Sequence, residues 1–206
     1  MTQPAFRHAT QSDVPALVAL IERAYRGPET AGSWVSEAHL LKGPRTSEKE
    51  ISDLIARPDS VFLIAEVDGQ LAGCCLLQGL GRDLSRTGGS DHDRSFAVPG
   101  DKSRKPAPEP VNAAYFGMFA INPSIQGGGI GKAILSEAEK HIGRLWNANV
   151  MVMTVINLRT ELIQYYERRG YKLTGATVPF PFSETSGETT RDFHLVEMRK
   201  DLRQAQ

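Results

Sequence analysis

A strand-like run, a cluster of glycines and a helix-like run, in that order, constrain this chain more than any other feature. Residues 114–121 read as a strand, Gln126-Gly127-Gly128-Gly129-Ile130-Gly131-Lys132 as a tight turn, and residues 133–140 as a helix. Glycines let the backbone approach a ligand closely, and the first N–H groups of a helix have no partner within it. The helix dipole adds roughly half a positive charge there, so the arrangement is an anion site suited to phosphate. Counting excludes two familiar phosphate loops. A P-loop needs Gly where Gln126 stands and Ser or Thr where Ala133 stands. A dinucleotide fingerprint begun at Gly127 or Gly129 needs its third Gly at Lys132 or Ile134.

The 206 residues suffice for one domain with a sizeable core, taken here as 1–206. The 24 basic residues equal the 24 acidic ones. That balance argues against a general nucleic-acid or membrane-surface binder. No apolar run has the length of a membrane span, and no signal pattern opens the chain. Cys74 and Cys75 are adjacent in an apolar stretch, so a disulfide framework is not supported and a cytoplasmic protein fits. The five histidines are scattered without ligand spacing, so no metal is expected.

Along the chain, Thr10-x-x-Asp13 reads as a capping box. Val14, Leu17, Val18, Ile21 and Tyr25 then share a helical face that Gly27-Pro28 ends. A second helix is expected over 47–57. Strands at 61–67 and 71–77 flank Asp68-Gly69, a strong hairpin signal. Residues 81–110 are polar and rich in Gly, Ser and Pro, and read as a mobile insertion or a substrate lid. Ile130, Ile134, Ala138 and Ile142 place one face of the next helix on a sheet. A buried strand is expected at 149–156, a helix at 160–169 closed by a left-handed Gly170, and strands at 171–178 and 193–199.

Gln126-x-x-Gly129-x-Gly131, preceded by Asn122-Pro123, resembles the pyrophosphate loop of the GCN5-related N-acetyltransferases, the GNAT family. A second block, Asn157 followed by Tyr166-Glu167-Arg168-Arg169-Gly170-Tyr171, is similar to that family's Asn…Tyr-Glu-x-x-Gly-(Phe/Tyr) segment. The resemblance implies a mixed α/β (α+β) fold: a twisted, mostly antiparallel sheet with helices on both faces. It implies acetyl-CoA as co-substrate, an amine acceptor, and room for a homodimer. Main-chain groups of Gln126, Gly127, Gly128, Gly129 and Gly131 would hold the pyrophosphate, with charge from Lys132. Gly129 and Gly131 are expected to refuse bulky side chains, and either valine variant to leave the fold largely intact. Phe119 and Ile121 would pair with the pantetheine arm, in a slot opened where that strand splays from the next. The Phe119 N–H would polarise the carbonyl. Asn157 would hold the arm, cap the following helix, or do both.

Tyr166 matches the tyrosine that protonates the leaving thiolate, since a phenol stays protonated near neutrality. Tyr165 lies about 100° around the helix, so both cannot face the sulfur. Tyr165 is read as packing or substrate-facing. An alkyl ammonium is neutral in only about one molecule per thousand near pH 7, roughly 4 kcal/mol to overcome. Some family members place a Glu on the central strand, but 113–121 holds no acid. Glu37 is the first choice of base, ahead of His39 and Glu66, because its segment should border the acceptor cleft. The leading reading is an acetyl-CoA-dependent N-acetyltransferase acting on a primary amine. A non-catalytic acyl-CoA sensor of the same fold and an enzyme using another acyl-CoA are the alternatives.

Overall fold

A computed structural model describes residues 3–27, 37, 40–41, 43–81, 112–125, 128–180 and 193–204. The insertion expected at 81–110 lies outside the described residues except for Gly81. The elements are β1 (Ala5–His8), α1 (Val14–Arg26), α2 (Glu48–Ala56), β2 (Ser60–Val67), β3 (Gln70–Gly81), β4 (Ala113–Ile121), α3 (Ile130–Trp146), β5 (Val150–Ile156), α4 (Thr160–Glu167), β6 (Lys172–Pro179) and β7 (His194–Asp201). Seven strands form one sheet in the order β1-β2-β3-β4-β5-β7-β6. All neighbours are antiparallel except β4 and β5. This is the mixed, mostly antiparallel sheet that the motifs imply.

Period-2 strands put alternate residues on opposite faces, and each face has its own helices. On one face Leu17, Ile21, Ile51 and Leu54 of α1 and α2 pack on Phe62, Ile64 and Cys74. On the other, Ile134, Ala138 and Ile142 of α3 and Tyr166 of α4 pack on Leu63, Ala65, Cys75, Met151 and Met153. The adjacent cysteines therefore point into different cores, both fully buried and both reduced. Burial pushes the Cys74 thiol up to about 12, so it behaves as a small apolar group.

Local chemistry sets the ends of the elements. Asp13 accepts the Thr10 N–H at 2.8 Å and ion-pairs with Arg7 at 2.8 Å, which ties β1 to the start of α1. Ser47 accepts the Glu50 N–H at 3.2 Å and caps α2. Asp68 and Gly69 both have positive φ, 50° and 74°, as a two-residue hairpin turn of the primed kind requires. Two expectations are corrected. Leu20 and Ala24, rather than Val18 and Tyr25, complete the buried face of α1, because Tyr25 turns toward β4. The helix expected to reach 169 ends at Glu167, although Gly170 does take φ +87°.

Ile134 lies at the centre of the α3 core and is fully buried. Ile134→Ala should destabilise the fold by about 2–5 kcal/mol, the range for a core cavity. Urea unfolding followed by circular dichroism measures this; a loss below half a kcal/mol would mean that α3 is not seated as described.

Candidate active site

The parallel neighbours β4 and β5 pair only over Ala113–Tyr115 and Val150–Val152. Beyond Tyr115 and Val152 the two strands separate, which opens a slot within the sheet. On its other side β4 is bulged. Cys74 pairs with Ala120 and Leu76 with Gly117, so Met118 and Phe119 together oppose Cys75. Met118 has φ +41°, an uncommon value for a residue with a side chain. A bulge takes the extra residue out of the ladder and re-aims the chain. The Tyr25 hydroxyl donates to the Phe119 carbonyl at 3.0 Å, and the Cys74 thiol to the Met118 carbonyl at 3.8 Å. Phe119 and Ile121 thus lie on the strand that borders the slot, as expected.

The head of α3 stands at the C-terminal end of this slot. Gly129 is the N-cap with φ +78°, and Ala133 makes the first helical bond, to the Gly129 carbonyl at 2.9 Å. The N–H groups of Ile130, Gly131 and Lys132 in the first turn therefore have no carbonyl within the helix. Gly128, Gly129 and Lys132 are exposed; Gln126 and Gly127 lie outside the described residues. The Asn-Pro dipeptide has a structural reason. The Asn122 amide donates to the Leu71 carbonyl at 3.2 Å and accepts the Ser124 N–H at 3.0 Å, which turns the chain out of β4.

Gly131 is needed for packing. A Cβ there would meet Ile121 Cδ1 at 2.8 Å, the Tyr165 hydroxyl at 3.1 Å and Phe119 Cζ at 3.3 Å. The crowding means that a valine would have to displace these side-chain ends. It also locates Tyr165: its hydroxyl abuts the head of α3, and the Arg169 guanidinium lies 3.4 Å from its ring centre. Tyr165 is a packing residue of the anion loop, with its ring edge against Tyr166.

Tyr166 turns inward instead. It is buried at 4% exposure, with Phe116 and Tyr171 edge-on to its ring. Burial first, and then neighbouring Tyr25, Tyr165, Tyr115 and Cys75, push its phenol well above the usual tyrosine range. It is therefore a protonated donor at any physiological pH. Its hydroxyl has no hydrogen-bond partner among the described residues.

The opposite face of the slot carries charge. Glu37 accepts from Arg26 at 3.0 Å and lies 3.8 Å from Arg159, itself buried at 7% exposure. The Glu37 carboxylate is thus engaged by two guanidiniums. His39 lies outside the described residues, and Glu66 is held by Arg7 at 2.9 Å on the β1 side of the sheet. Asn157 does not cap α4, whose N-cap position is Arg159; its side chain accepts the His194 N–H at 3.1 Å and extends the β5–β7 pairing.

Sequence reasoning missed a polar row across this face. A Cβ on Gly117 would meet the Tyr115 ring at 2.5 Å, so that ring occupies the space above the glycine. The Tyr115 hydroxyl hydrogen-bonds Thr154 Oγ1 at 3.2 Å, bridging β4 and β5 where they part. Gln78 is the cross-strand neighbour of Tyr115, and its buried Oε1 has no hydrogen bond. Glu197 is the cross-strand neighbour of Thr154, and paired residues share a face. Glu197 is buried at 5% exposure, and its carboxylate has neither an ion pair nor a hydrogen bond among the described residues. The only sequence signal was an acid inside a strand, at alternate spacing with Leu195.

A slot in the sheet, a bulged strand beside it and a glycine-headed helix at its end agree with the comparisons. The model of the acetyltransferase (GNAT) family matches residues 28–171, and the chain belongs to that family. Among solved structures it is similar to Arabidopsis thaliana NAA60 in complex with acetyl-CoA, at 16% identity over 97% of this chain and 99% of that one, TM-score 0.62. It is also similar to paiA N-acetyltransferase from Thermoplasma acidophilum in complex with coenzyme A, at 18% identity over 97% and 99%, TM-score 0.58. At these identities the likeness is one of fold. The comparison with curated proteins returned no match.

The two glycines should behave differently when changed to valine. Gly131→Val forces α3 away from Ile121 and Phe119 and should cost about 1–3 kcal/mol, as overpacking does. Gly129→Val has free space around it and should cost only the backbone strain of its positive φ, about 1–2 kcal/mol. Thermal melts compare them. Gly131→Val proving the milder of the two would contradict the packing at the head of α3.

Proposed function

We propose that this protein transfers the acetyl group of acetyl-CoA to a primary amine. The observation that carries the reading is the slot between β4 and β5, with free helix N–H groups at one end and a buried phenol facing its core. The residues fit such a co-substrate. The N–H groups of Ile130, Gly131 and Lys132, with the chain at Gly128 and Gly129, would take the pyrophosphate. Gln126, Gly127 and the Lys132 charge would add to this grip. The edge of β4 at Phe119 and Ile121 offers main-chain groups to an extended arm, and the Asn157 amide nitrogen is available from β5. The thioester would lie where the bulge exposes the Phe119 N–H, a donor for the developing oxyanion.

For the base, the polar row supports Glu197 over Glu37. Glu37 is engaged by two guanidiniums, whereas Glu197 is buried and unpartnered beside Thr154. In this reading the acceptor enters as its ammonium and gives a proton to Glu197, directly or through Thr154. The freed nitrogen lone pair forms the N–C bond as the C–S bond breaks, the sulfur leaves with the electron pair, and the second proton released by the acylated nitrogen ends on that sulfur as the thiol. Tyr166 donates to that sulfur. The burial that keeps Tyr166 protonated also makes it a reluctant acid, so its largest contribution is a hydrogen bond to charge as it develops.

Thiol release in the presence of acetyl-CoA and a panel of amines tests the activity. Gly129→Val should weaken acetyl-CoA binding in calorimetry; unchanged affinity would remove the loop from the site. Tyr166→Phe should lower kcat on the order of 10²-fold with little change in acetyl-CoA affinity. Tyr165→Phe should do the reverse, raising the acetyl-CoA Kd and sparing kcat, because its hydroxyl sits at Gly131 rather than in the core. Equal effects in the two variants would sink this division. Glu197→Gln should lower kcat by about 10²-fold or more. A small effect in Glu197→Gln beside a large one in Glu37→Gln would return the base to Glu37.

A further inference from the structure

We infer that the acceptor bears a carboxylate close to its amine, as a free amino acid does, and that Arg45 receives it. This rests on the acetyltransferase reading above. Arg45 stands where the α1–α2 connection meets α2. Its main chain is pinned: Glu22 accepts the Arg45 N–H at 2.6 Å and the Thr46 N–H at 2.8 Å. The Thr46 hydroxyl donates to Glu50 at 2.8 Å. These bonds commit Glu22 and Glu50 to other donors. The Arg45 guanidinium lies over the Tyr25 ring, 5.2 Å from its centre. The hydroxyl of that same Tyr25 is fixed on the Phe119 carbonyl in the β4 bulge. Arg45 is therefore one aromatic ring away from the point where the acyl carbonyl would lie. The groups that act on it electrostatically are Glu37, Tyr25, Glu50 and Tyr115. Tyr115 belongs to the polar row.

The ion pairs among the described residues of this wall do not include Arg45. Arg26 and Arg159 share the carboxylate of Glu37, whereas Arg45, among the described residues, pairs with no carboxylate and donates no side-chain hydrogen bond. A guanidinium offers five N–H donors in a planar fork that matches a carboxylate. Half-buried on an aromatic ring, with its backbone clamped, it is pre-organised to use them. Across the slot Glu197 offers the complementary charge for an ammonium. A guanidinium and a carboxylate flanking the acyl position fit a small zwitterion.

The test uses the full-length protein with coenzyme A and two probe mixtures, the standard L-amino acids and their carboxamides, followed by saturation-transfer NMR. Carboxylates should give signal, and their amides should bind at least about tenfold more weakly, as loss of a charge-assisted pair implies. Arg45→Met should abolish that preference, and Arg45→Lys should restore part of it. Acetyl-CoA calorimetry on each variant, with a thermal melt, runs in parallel. If acetyl-CoA does not bind the wild type, the acetyltransferase reading fails and this inference with it. If acetyl-CoA binds but carboxylates give no signal, or amides bind equally, or Arg45→Met keeps the preference, the inference on Arg45 alone is overturned.

Discussion

At Met118 the backbone of a residue with a side chain is held at φ +41°, within a largely buried central strand of the sheet. Such a conformation costs about 1–3 kcal/mol and persists only where the surroundings over-determine it. Here they do. Cys74 reaches the Met118 carbonyl from β3, Tyr25 reaches the Phe119 carbonyl from α1, and packed cores hold β4 from both faces. The remaining features of the site follow from that break. Because β4 leaves its ladder with β3 for one residue and its ladder with β5 for good, its main-chain groups become available inside a sheet that would otherwise have consumed them.

The same break explains where charge can be tolerated. An ionised group taken out of water costs several kcal/mol unless it is paired. On the helix α1–α2 side of the slot the chain accepts that cost repeatedly, with Arg159 and Glu197 both below 10% exposure and Arg45 half-buried. Glu37 resolves part of it by bridging Arg26 and Arg159, which also fixes the entrance to α4 relative to the end of α1. Glu197 and Arg45 have no such resolution within the described chain. The α3 face, by contrast, is almost wholly apolar, and its charged residues sit at the rim, as with Glu139 between Lys200 at 2.7 Å and the Tyr171 hydroxyl at 3.0 Å.

Much of this was legible in the sequence, and for physical reasons. Periodicity shows in long apolar faces, so the strands other than β3 appeared within a residue or two of their positions, whereas β3 runs four residues further and α3 extends beyond 133–140 at both ends. Turn chemistry showed Asp68-Gly69, since few other pairs accept two positive φ values. The anion loop was legible because a helix head with glycines has few other uses. What could not be read was anything decided across strands. Glu197 lies in an alternating strand, and only its pairing with Thr154 puts it in the polar row. Glu37 is the first choice of base only without sight of Arg26 and Arg159, which are distant in sequence. The bulge has no signature in residues 113–121. Of the roles read for Asn157, holding the arm, capping the helix or both, the cap is excluded because Arg159 holds that position and β7 engages the Asn157 side chain.

Tyr165 and Tyr166 show how adjacent identical residues acquire different work. A step of about 100° along a helix separates their rings, and the edge-on contact between them keeps that separation rigid. One hydroxyl goes to the glycine that seats α3, under a guanidinium that holds its ring. The other tyrosine sets its ring edge-on to Phe116, a strand residue three before the bulge end at Phe119. Because Phe116 and Phe119 are themselves in ring contact, 5.3 Å between centres, the phenol of Tyr166 is positioned by the strand that would position the thioester. The helix and the slot are thus registered against each other through aromatic edges rather than hydrogen bonds. Such contacts fix distance while leaving every polar group of the pair available, which is the condition a donor must meet if it is to act only when charge appears on sulfur.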